Sequence, residues 1–220
     1  MDKNFFCRGA LGDIIYCLPT IASLGGGSLY LRKTHHVQTV KRLLERQDYI
    51  EKCELETEGV RIDHNLDAYR PVNRRNRSVH LAKCSLIAHN TTYDISEPWI
   101  ENIEETQIAD VVINRTSRYH DKNIVDWNKL KDSNCVFVGS TKEHSAFCSQ
   151  YFSLPYHPCN DALEIASVIK GSKFFVGNSS LPYALAEAMK HKRVLEVCFS
   201  KPSCLPQGYN GYISLHEELF

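Results

Sequence analysis

Short apolar runs alternate with helix-forming segments along this chain of 220 residues. The strand-like runs lie at residues 4–7, 28–31, 60–62, 111–113, 135–138, 174–176 and 194–197. Several are apolar without alternation, which is typical of strands covered on both faces in parallel sheets with crossover helices. The sequence therefore predicts an α/β fold of two Rossmann-like halves, each built on a parallel sheet, with a cleft between them.

The alternation is interrupted where Pro98 precedes a series of acidic residues. We interpret residues 98–110 as the connection between two domains, with Trp99 as its anchor. The predicted domains are residues 1–97 and residues 111–220. Each is short, but a chain of this length can bury two small cores.

The stretch from Phe174 to Met189 predicts a strand, a polar turn and a helix. Gly177 permits a tight exit from the strand, and Asn178, Ser179 and Ser180 are residue types that favour a helix N-cap. A helix that starts directly after a strand presents free N–H groups and a positive dipole end, which suits a phosphate. The alternative is an ordinary strand-to-helix turn without a ligand.

A second glycine-containing turn lies near the amino end, where Gly9 and Gly12 precede Asp13. Asp13 stands at the predicted start of a helix, at the mouth of a parallel sheet, where α/β folds place a catalytic base. The alternative is a helix cap without chemistry. The turn is neither a dinucleotide-binding Gly-x-Gly-x-x-Gly nor a P-loop, because no Lys-Ser/Thr pair follows it.

A polar and basic turn follows the predicted strand at residues 111–113. It contains Arg115, Thr116 and Arg118, and guanidinium groups beside hydroxyls suit a diphosphate. The alternative is a capped loop whose arginines face water.

Residues 63–77 form a polar stretch that includes a local cluster of four arginines. These are Arg70, Arg74, Arg75 and Arg77. We favour a solvated loop for this stretch, since charged runs usually face water. The alternative is a contact surface for an acidic acceptor, such as a phosphorylated glycan or a nucleic acid.

Composition argues against several other classes of protein. The formal net charge is +0, so no global field attracts the chain to nucleic acid or membranes. No apolar run approaches the length of about 20 residues that spans a bilayer, so we expect no transmembrane segment. The 9 cysteines form no Cys-x-x-Cys pair, which favours a reducing cytoplasm and gives no zinc spacing. We therefore expect no metal site.

The two glycine-containing turns together resemble the motifs of a known family. The first reads Gly9-Ala10-Leu11-Gly12-Asp13 with Leu18-Pro19 downstream, and the second reads Gly177-Asn178-Ser179-Ser180-Leu181-Pro182 followed by Leu185-Ala186. They resemble the opening motif and the nucleotide-sugar loop of the ADP-heptose:lipopolysaccharide heptosyltransferases, glycosyltransferase family 9. That family usually has Asp, Gly and His where this chain has Ser179, Leu181 and Ala184, so the resemblance does not extend to those contacts.

The resemblance implies a GT-B glycosyltransferase that moves a hexosyl or heptosyl group from a nucleotide-diphosphate sugar to an acceptor hydroxyl, without a metal or another cofactor. Residues 1–97 would form the acceptor side, and residues 111–220 the nucleotide-sugar side. Asp13 would be the general base. The implied donor-diphosphate ligands are Arg115, Thr116, Arg118, Ser179 and Ser180; Gly9, Gly12, Gly177 and Asn178 supply loop backbone; and Glu187 or Glu196 contacts the ribose.

The acceptor stays open among glycans, lipid-linked molecules and nucleic acid. Two alternatives to transfer also stay open. The substituted second turn favours a non-catalytic nucleotide-sugar or glycan-binding module on a degenerate glycosyltransferase scaffold, since a fold does not dictate a function. A related nucleotide-sugar enzyme, such as an epimerase or a hydrolase, is the third interpretation.

Overall fold

The computed structural model describes residues 3–33, 37–121 and 125–215. The N-terminal half is built on a four-stranded parallel sheet with the strand order β3-β2-β1-β4. Its elements are β1 (Lys3–Cys7), α1 (Leu11–Ser23), β2 (Gly27–Leu31), α2 (Val37–Leu44), β3 (Ile50–Leu55), β4 (His64–Asn65), α3 (Tyr69–Arg75) and α4 (Leu81–Ala88).

The C-terminal half is built on a five-stranded parallel sheet with the strand order β6-β5-β7-β8-β9. Its elements are β5 (Val111–Asn114), β6 (Cys135–Phe137), α5 (Thr141–Gln150), α6 (Ala162–Lys170), β7 (Phe174–Asn178), α7 (Leu181–Ala188), β8 (Arg193–Glu196) and β9 (Gly211–Tyr212). Short 3-10 turns occur at Leu66–Ala68, Trp127–Leu130 and Pro202–Cys204. The predicted α/β class with two Rossmann-like halves is confirmed.

The third strand of the N-terminal sheet was predicted at the wrong place. Residues 60–62 lie outside every strand, and the strand is β3, at the edge of the sheet. Only Ile50 and Cys53 of β3 are buried, while Glu51 and Glu54 are exposed. An edge strand with one solvent-exposed face carries charged residues, so its sequence lacks the continuous apolar run that predicts a buried strand.

Two helices were missed by the sequence analysis. The favoured solvated loop at residues 63–77 is wrong, because most of its second half folds into α3, which packs against α4. α5 begins with a capping box in which Ser140 and Glu143 satisfy each other's backbone N–H groups. The Ser-x-x-Glu spacing was the available signal for α5, but its few apolar residues left no helical periodicity.

The two halves pack against each other through α1 and α7. A Cβ atom added at Gly12 of α1 would lie 3.8 Å from the Cβ atom of Ala184 in α7, so small residues permit this close approach. Trp99 fastens both helices, because its Nε1 donates to the Ile15 carbonyl at 3.0 Å and its backbone N–H donates to the Ala188 carbonyl at 2.9 Å. The boundaries of the two domains at residues 98–110 remain our prediction. Within the described residues, no helix is long and apolar enough to cross a membrane.

The start of α4 carries a buried histidine that titrates far from its usual range. The imidazole Nδ1 of His80 accepts a hydrogen bond from the Ala82 backbone N–H at 3.3 Å and caps the helix. Burial, together with the positive charges of Lys190 and Arg193, lowers the pKa of His80 to about 3. Burial likewise lowers the pKa of His191 to about 4. Both rings are therefore neutral in the folded protein at pH 6.

We expect His80→Asn to reduce the acid sensitivity of folding. Between pH 6.5 and pH 3 the unfolded chain binds a proton at this histidine and the folded chain does not, so stability falls as the pH drops below about 6.5. The slope is at most about 1.4 kcal/mol per pH unit for one group. Asn retains a cap acceptor without titrating. Urea unfolding at pH 7.5, 6 and 5 measures the slope, and an unchanged slope in the variant would contradict the assignment.

Candidate functional site

A cleft of about 890 Å³ lies between the two halves, at the carboxyl ends of their strands. It is lined by the turn between β1 and α1, by α3, by the turn after β5, by the start of α7 and by the segment after β8. The carboxyl ends of parallel strands are where α/β folds bind their ligands. The structure thus brings together, in one cavity, all three turns that the sequence analysis singled out.

Asp13 lies in the first turn of α1 and projects into this cleft. Its Oδ2 atom accepts a hydrogen bond from the Tyr69 hydroxyl at 2.8 Å and from the Ala10 backbone N–H at 3.3 Å. The Arg70 guanidinium Nη2 is 3.7 Å from the same oxygen. A side chain at Gly9 would collide with Asp13, because a Cβ atom there would lie 2.8 Å from the Asp13 Cβ. The absence of a side chain at Gly9 therefore leaves the space that the Asp13 side chain occupies.

The N-terminal wall of the cleft is strongly basic. Its arginines are Arg8, Arg32, Arg70, Arg74 and Arg77. Two of them pair with Asp67, at 3.6 Å from Arg8 Nε and at 3.1 Å from Arg70 Nε. Within the described part of the chain, the guanidinium groups of the other three have no hydrogen-bond or ion-pair partner. Arg75, which we had grouped with them, lies in α3 but does not line the cleft.

The C-terminal wall contains the start of α7. Ser180 occupies the N-cap position, but its hydroxyl donates to Asn114 Oδ1 at 2.8 Å and no side chain caps the helix. The buried Asn178 ties this turn to the turn after β5, because its Oδ1 accepts from the Thr116 backbone N–H at 3.0 Å and its Nδ2 donates to Thr116 Oγ1 at 3.1 Å. Thr116, Ser179 and Ser180 line the cleft, whereas Asn178 lies behind them.

Two cations of the C-terminal half also line the cleft. Arg118 and Lys201 both line the cleft, and both pack on the ring of Tyr119, with Lys201 Nζ 3.9 Å and Arg118 Cζ 5.3 Å from its centroid. The sequence analysis did not single out Lys201, because it stands in no motif. It also passed over Glu143, which lines the cleft and whose Oε2 accepts from the Ser140 N–H at 2.9 Å. In the described residues, no group of three or more His, Cys, Asp or Glu side chains is arranged to hold a metal ion.

Three predicted ligand residues do not reach the cleft. Arg115 is turned into the C-terminal half, where its Nε donates to Glu196 Oε2 at 2.7 Å in a buried ion pair. The predicted ribose contact Glu196 is thereby occupied. Glu187, the other predicted ribose contact, is fully buried and pairs with Lys190 Nζ and Arg193 Nε, each at 2.6 Å. Buried charges need such partners, so these carboxylates serve the fold.

Gly177 also lies outside the cleft lining and serves the packing of the sheet. A Cβ atom there would lie 2.5 Å from the Asn114 carbonyl oxygen, so β5 and β7 could not pair closely with any other residue at this position. Gly12, in contrast, lines the cleft beside Asp13. The backbone roles predicted for these glycines therefore differ from one to the next.

No protein-family model and no curated protein sequence matches the chain. Among solved structures, it is similar to the glycosyl transferase family 9 protein of Veillonella parvula DSM 2008, with 14% identity and a TM-score of 0.67 over 98% of this chain and 87% of that one. It is also similar to the E. coli heptosyltransferase WaaC, with 10% identity and a TM-score of 0.67 over 96% and 92% of the two chains.

The dodecameric iron-containing glycosyltransferase TibC of enterotoxigenic E. coli is a more distant match. It has 16% identity and a TM-score of 0.55 over 98% of this chain and 64% of that one. At such low identities these similarities establish the fold. The chain thus has the fold of family 9 glycosyltransferases, as the resemblance of its two turns implied.

We expect Glu187→Gln to weaken the fold without affecting ligand binding in the cleft. The substitution leaves Lys190 and Arg193 buried without a counter-charge, and breaking a buried pair in this way costs about 3 kcal/mol. Urea unfolding measures the loss. Because Glu187 does not line the cleft, nucleotide affinity at a temperature where the variant is folded should be that of the unchanged protein. A large loss of affinity with normal stability would restore its role as a ribose contact.

Proposed function

We propose that the protein is a glycosyltransferase that moves a sugar from a nucleotide-diphosphate sugar to an acceptor hydroxyl. The observation that carries this proposal is the cleft itself, whose lining brings Asp13 together with an uncapped helix start and the cations Arg118 and Lys201 of the other half. Residues 1–97 would supply the acceptor side and residues 111–220 the donor side. The fold neighbours support the choice of donor, since WaaC is known in complex with ADP and with ADP-2-deoxy-2-fluoro heptose.

The donor diphosphate would lie at the start of α7. The hydroxyls of Thr116, Ser179 and Ser180 line this part of the cleft, and the first N–H groups of α7 have no side-chain cap. α1 also points its N-terminal end at the cleft, but the acidic Asp13 occupies its first turn. Of the two N-terminal helix ends, that of α7 is therefore the one that favours binding of an anion.

The reaction would begin with removal of a proton from the acceptor hydroxyl by Asp13. The acceptor oxygen attacks the anomeric carbon, the bond from that carbon to the phosphate oxygen breaks, and the nucleoside diphosphate leaves with the electron pair. Arg118, Lys201 and the α7 N–H groups would stabilise the charge that develops on the diphosphate. Glu187 and Glu196 do not line the cleft, so Glu143 takes their place in the proposal as the carboxylate near the donor. The proposal includes no resident metal ion.

The donor sugar would be recognised differently from that of family 9 enzymes with the usual second motif. Ala184 stands where that family has His, and it is fully buried against Gly12 at the contact between α1 and α7. A histidine there would occupy the space that α1 fills. Ser179 and Leu181, which replace the Asp and the Gly, do line the cleft and would meet the sugar.

The acceptor would be anionic. Arg32, Arg74 and Arg77 line the cleft on the side of Asp13, and their guanidinium groups have no hydrogen-bond or ion-pair partner among the residues that the structure describes. Such a concentration of one charge favours phosphate or carboxylate groups on the molecule that supplies the hydroxyl. A phosphorylated glycan fits this chemistry.

We expect Asp13→Asn to lower the rate of transfer severely and to leave donor binding intact. A thermal-shift series with UDP, GDP, ADP and CMP and their common sugar conjugates identifies the donor, because a ligand that binds the folded state raises its melting temperature. Loss of general-base catalysis should lower kcat by about 100-fold to 10,000-fold. The melting shift with the donor should be the same in both proteins. An Asp13→Asn variant with full activity would refute the proposed base.

We expect the double substitution Arg74→Gln and Arg77→Gln to weaken binding of the acceptor and not of the donor. Loss of two charge-assisted contacts should raise KM at least about 10-fold for phosphorylated glycan acceptors, with the donor KM unchanged. Arg75→Gln is the matched control, since Arg75 lies in α3 outside the cleft lining. Equal effects of the control and the double variant would show that net charge, and not this wall, sets the affinity.

A nucleotide-sugar-binding module without catalysis is the second candidate function. The substituted positions Ser179 and Leu181, which face the cleft, favour it. A clear melting shift with one nucleotide sugar, combined with no transfer to any acceptor and no release of free sugar, would make it the better description.

A further inference from the structure

We propose that Tyr69 is a positioning residue for Asp13, which holds one carboxylate oxygen so that the other faces the acceptor hydroxyl. The inference rests on the proposed function in one respect, since it treats Asp13 as the base. The tyrosine belongs to neither glycine-containing motif and lies 56 residues along the chain from Asp13. Only the fold brings the two together.

Among the described residues, the hydrogen bonds and the ion pair of the Asp13 carboxylate converge on a single oxygen. Oδ2 receives the Tyr69 hydroxyl at 2.8 Å and the Ala10 N–H at 3.3 Å, and Arg70 Nη2 is 3.7 Å away. Oδ1 accepts no hydrogen bond from any of the residues that the structure describes. A carboxylate held by one oxygen keeps the lone pairs of the other for the proton that it removes.

Tyr69 is suited to act as a permanent donor in this contact. The residue is 5% exposed, and it begins α3 directly after the 3-10 turn Leu66–Ala68. Burial, the Asp13 charge and the hydrogen bond between them raise the pKa of the Tyr69 hydroxyl far above its usual value. The hydroxyl therefore stays protonated over the whole range in which an enzyme of this kind works.

Other charged and titratable groups also face Asp13. Arg70 is the nearest cation and packs over the Tyr69 ring, with its Cζ 5.0 Å from the centroid. The buried thiols of Cys17 and Cys204 lie near enough for the Asp13 charge to contribute to their raised pKa values. They stay neutral near pH 7. Tyr69 and Arg70 are therefore the side chains that donate to or pair with this carboxylate.

The kinetic test uses Tyr69→Phe, which removes the hydroxyl and keeps the ring. Without this donor the Asp13 carboxylate loses its orientation, so we expect kcat at pH 8 to fall about 10-fold. The donor KM and the acceptor KM should stay constant. A role in folding alone would lower the amount of folded protein and leave kcat per folded molecule unchanged.

Tyr93→Phe is the matched control. The Tyr93 hydroxyl also makes a hydrogen bond, to the Pro98 carbonyl at 3.1 Å, but it lies outside the cleft. Its kcat should equal that of the unchanged protein. If both variants lowered kcat alike, the assignment to Tyr69 would be overturned.

A second measurement does not depend on turnover. Carboxyl 13C NMR of aspartate-labelled protein at pH 8, with Asp13→Asn to assign the signal, follows the hydrogen bond to Asp13 directly. The Asp13 signal should move in Tyr69→Phe, because the bond to Oδ2 is lost, and should stay in place in Tyr93→Phe. Replacement of Tyr69 by 3-fluorotyrosine, a more acidic donor of almost the same shape, should move the signal in the opposite direction, which tests the contact even if the Phe variant does not fold. A signal that does not move would overturn the positioning role, whereas a moved signal without any transfer would leave it standing and refute the proposed reaction.

Discussion

The contact between α1 and α7 determines the geometry on which the site depends. Both helices begin at the cleft, one from each half, and they meet at Gly12 and Ala184, where small residues let the backbones approach. Two helix N-termini side by side place two positive dipole ends at one cavity. Because Asp13 lies in the first turn of α1, the two ends differ: one already carries an acid, and the other is open to an anionic ligand.

Buried charge behind the cleft supports this arrangement. Glu187, near the end of α7, holds Lys190 and Arg193, and the Lys190 Nζ lies 4.4 Å from the centroid of the Trp99 ring. Trp99 in turn donates hydrogen bonds from its two N–H groups to backbone carbonyls of α1 and α7. The ion pairs thus fasten the far end of α7 while its start faces the ligand space. Arg115 and Glu196 do the same for the turn after β5, which explains why charged residues so close to the cleft do not enter it.

The strand-turn-helix units could be predicted from the sequence, but the directions in which their side chains point could not. The apolar runs at β1, β5 and β7 and the residue types that follow them predicted where the turns would gather. The same turn, however, sends Thr116 into the cleft and Arg115 into the core, and no residue type reveals this choice. Lys201 and Tyr69 come from segments without a motif. Their positions in the cleft follow from tertiary packing, which the local sequence pattern does not predict.

The position of Tyr69 couples the two walls of the cleft in an unequal way. Asp13 is carried by α1, which is packed on the C-terminal half through α7, but its carboxylate accepts a hydrogen bond from Tyr69 of α3, which also carries Arg70 and Arg74 of the basic wall. A shift of α3 would therefore move the proposed acceptor contacts and the proposed base together and leave the start of α7 in place. Under the proposed function, sequence changes in α3 should then alter acceptor choice and rate in parallel, while changes around Asn178 and Thr116 should act on the donor. The two substrates of the proposed reaction could thus be altered separately within one small fold.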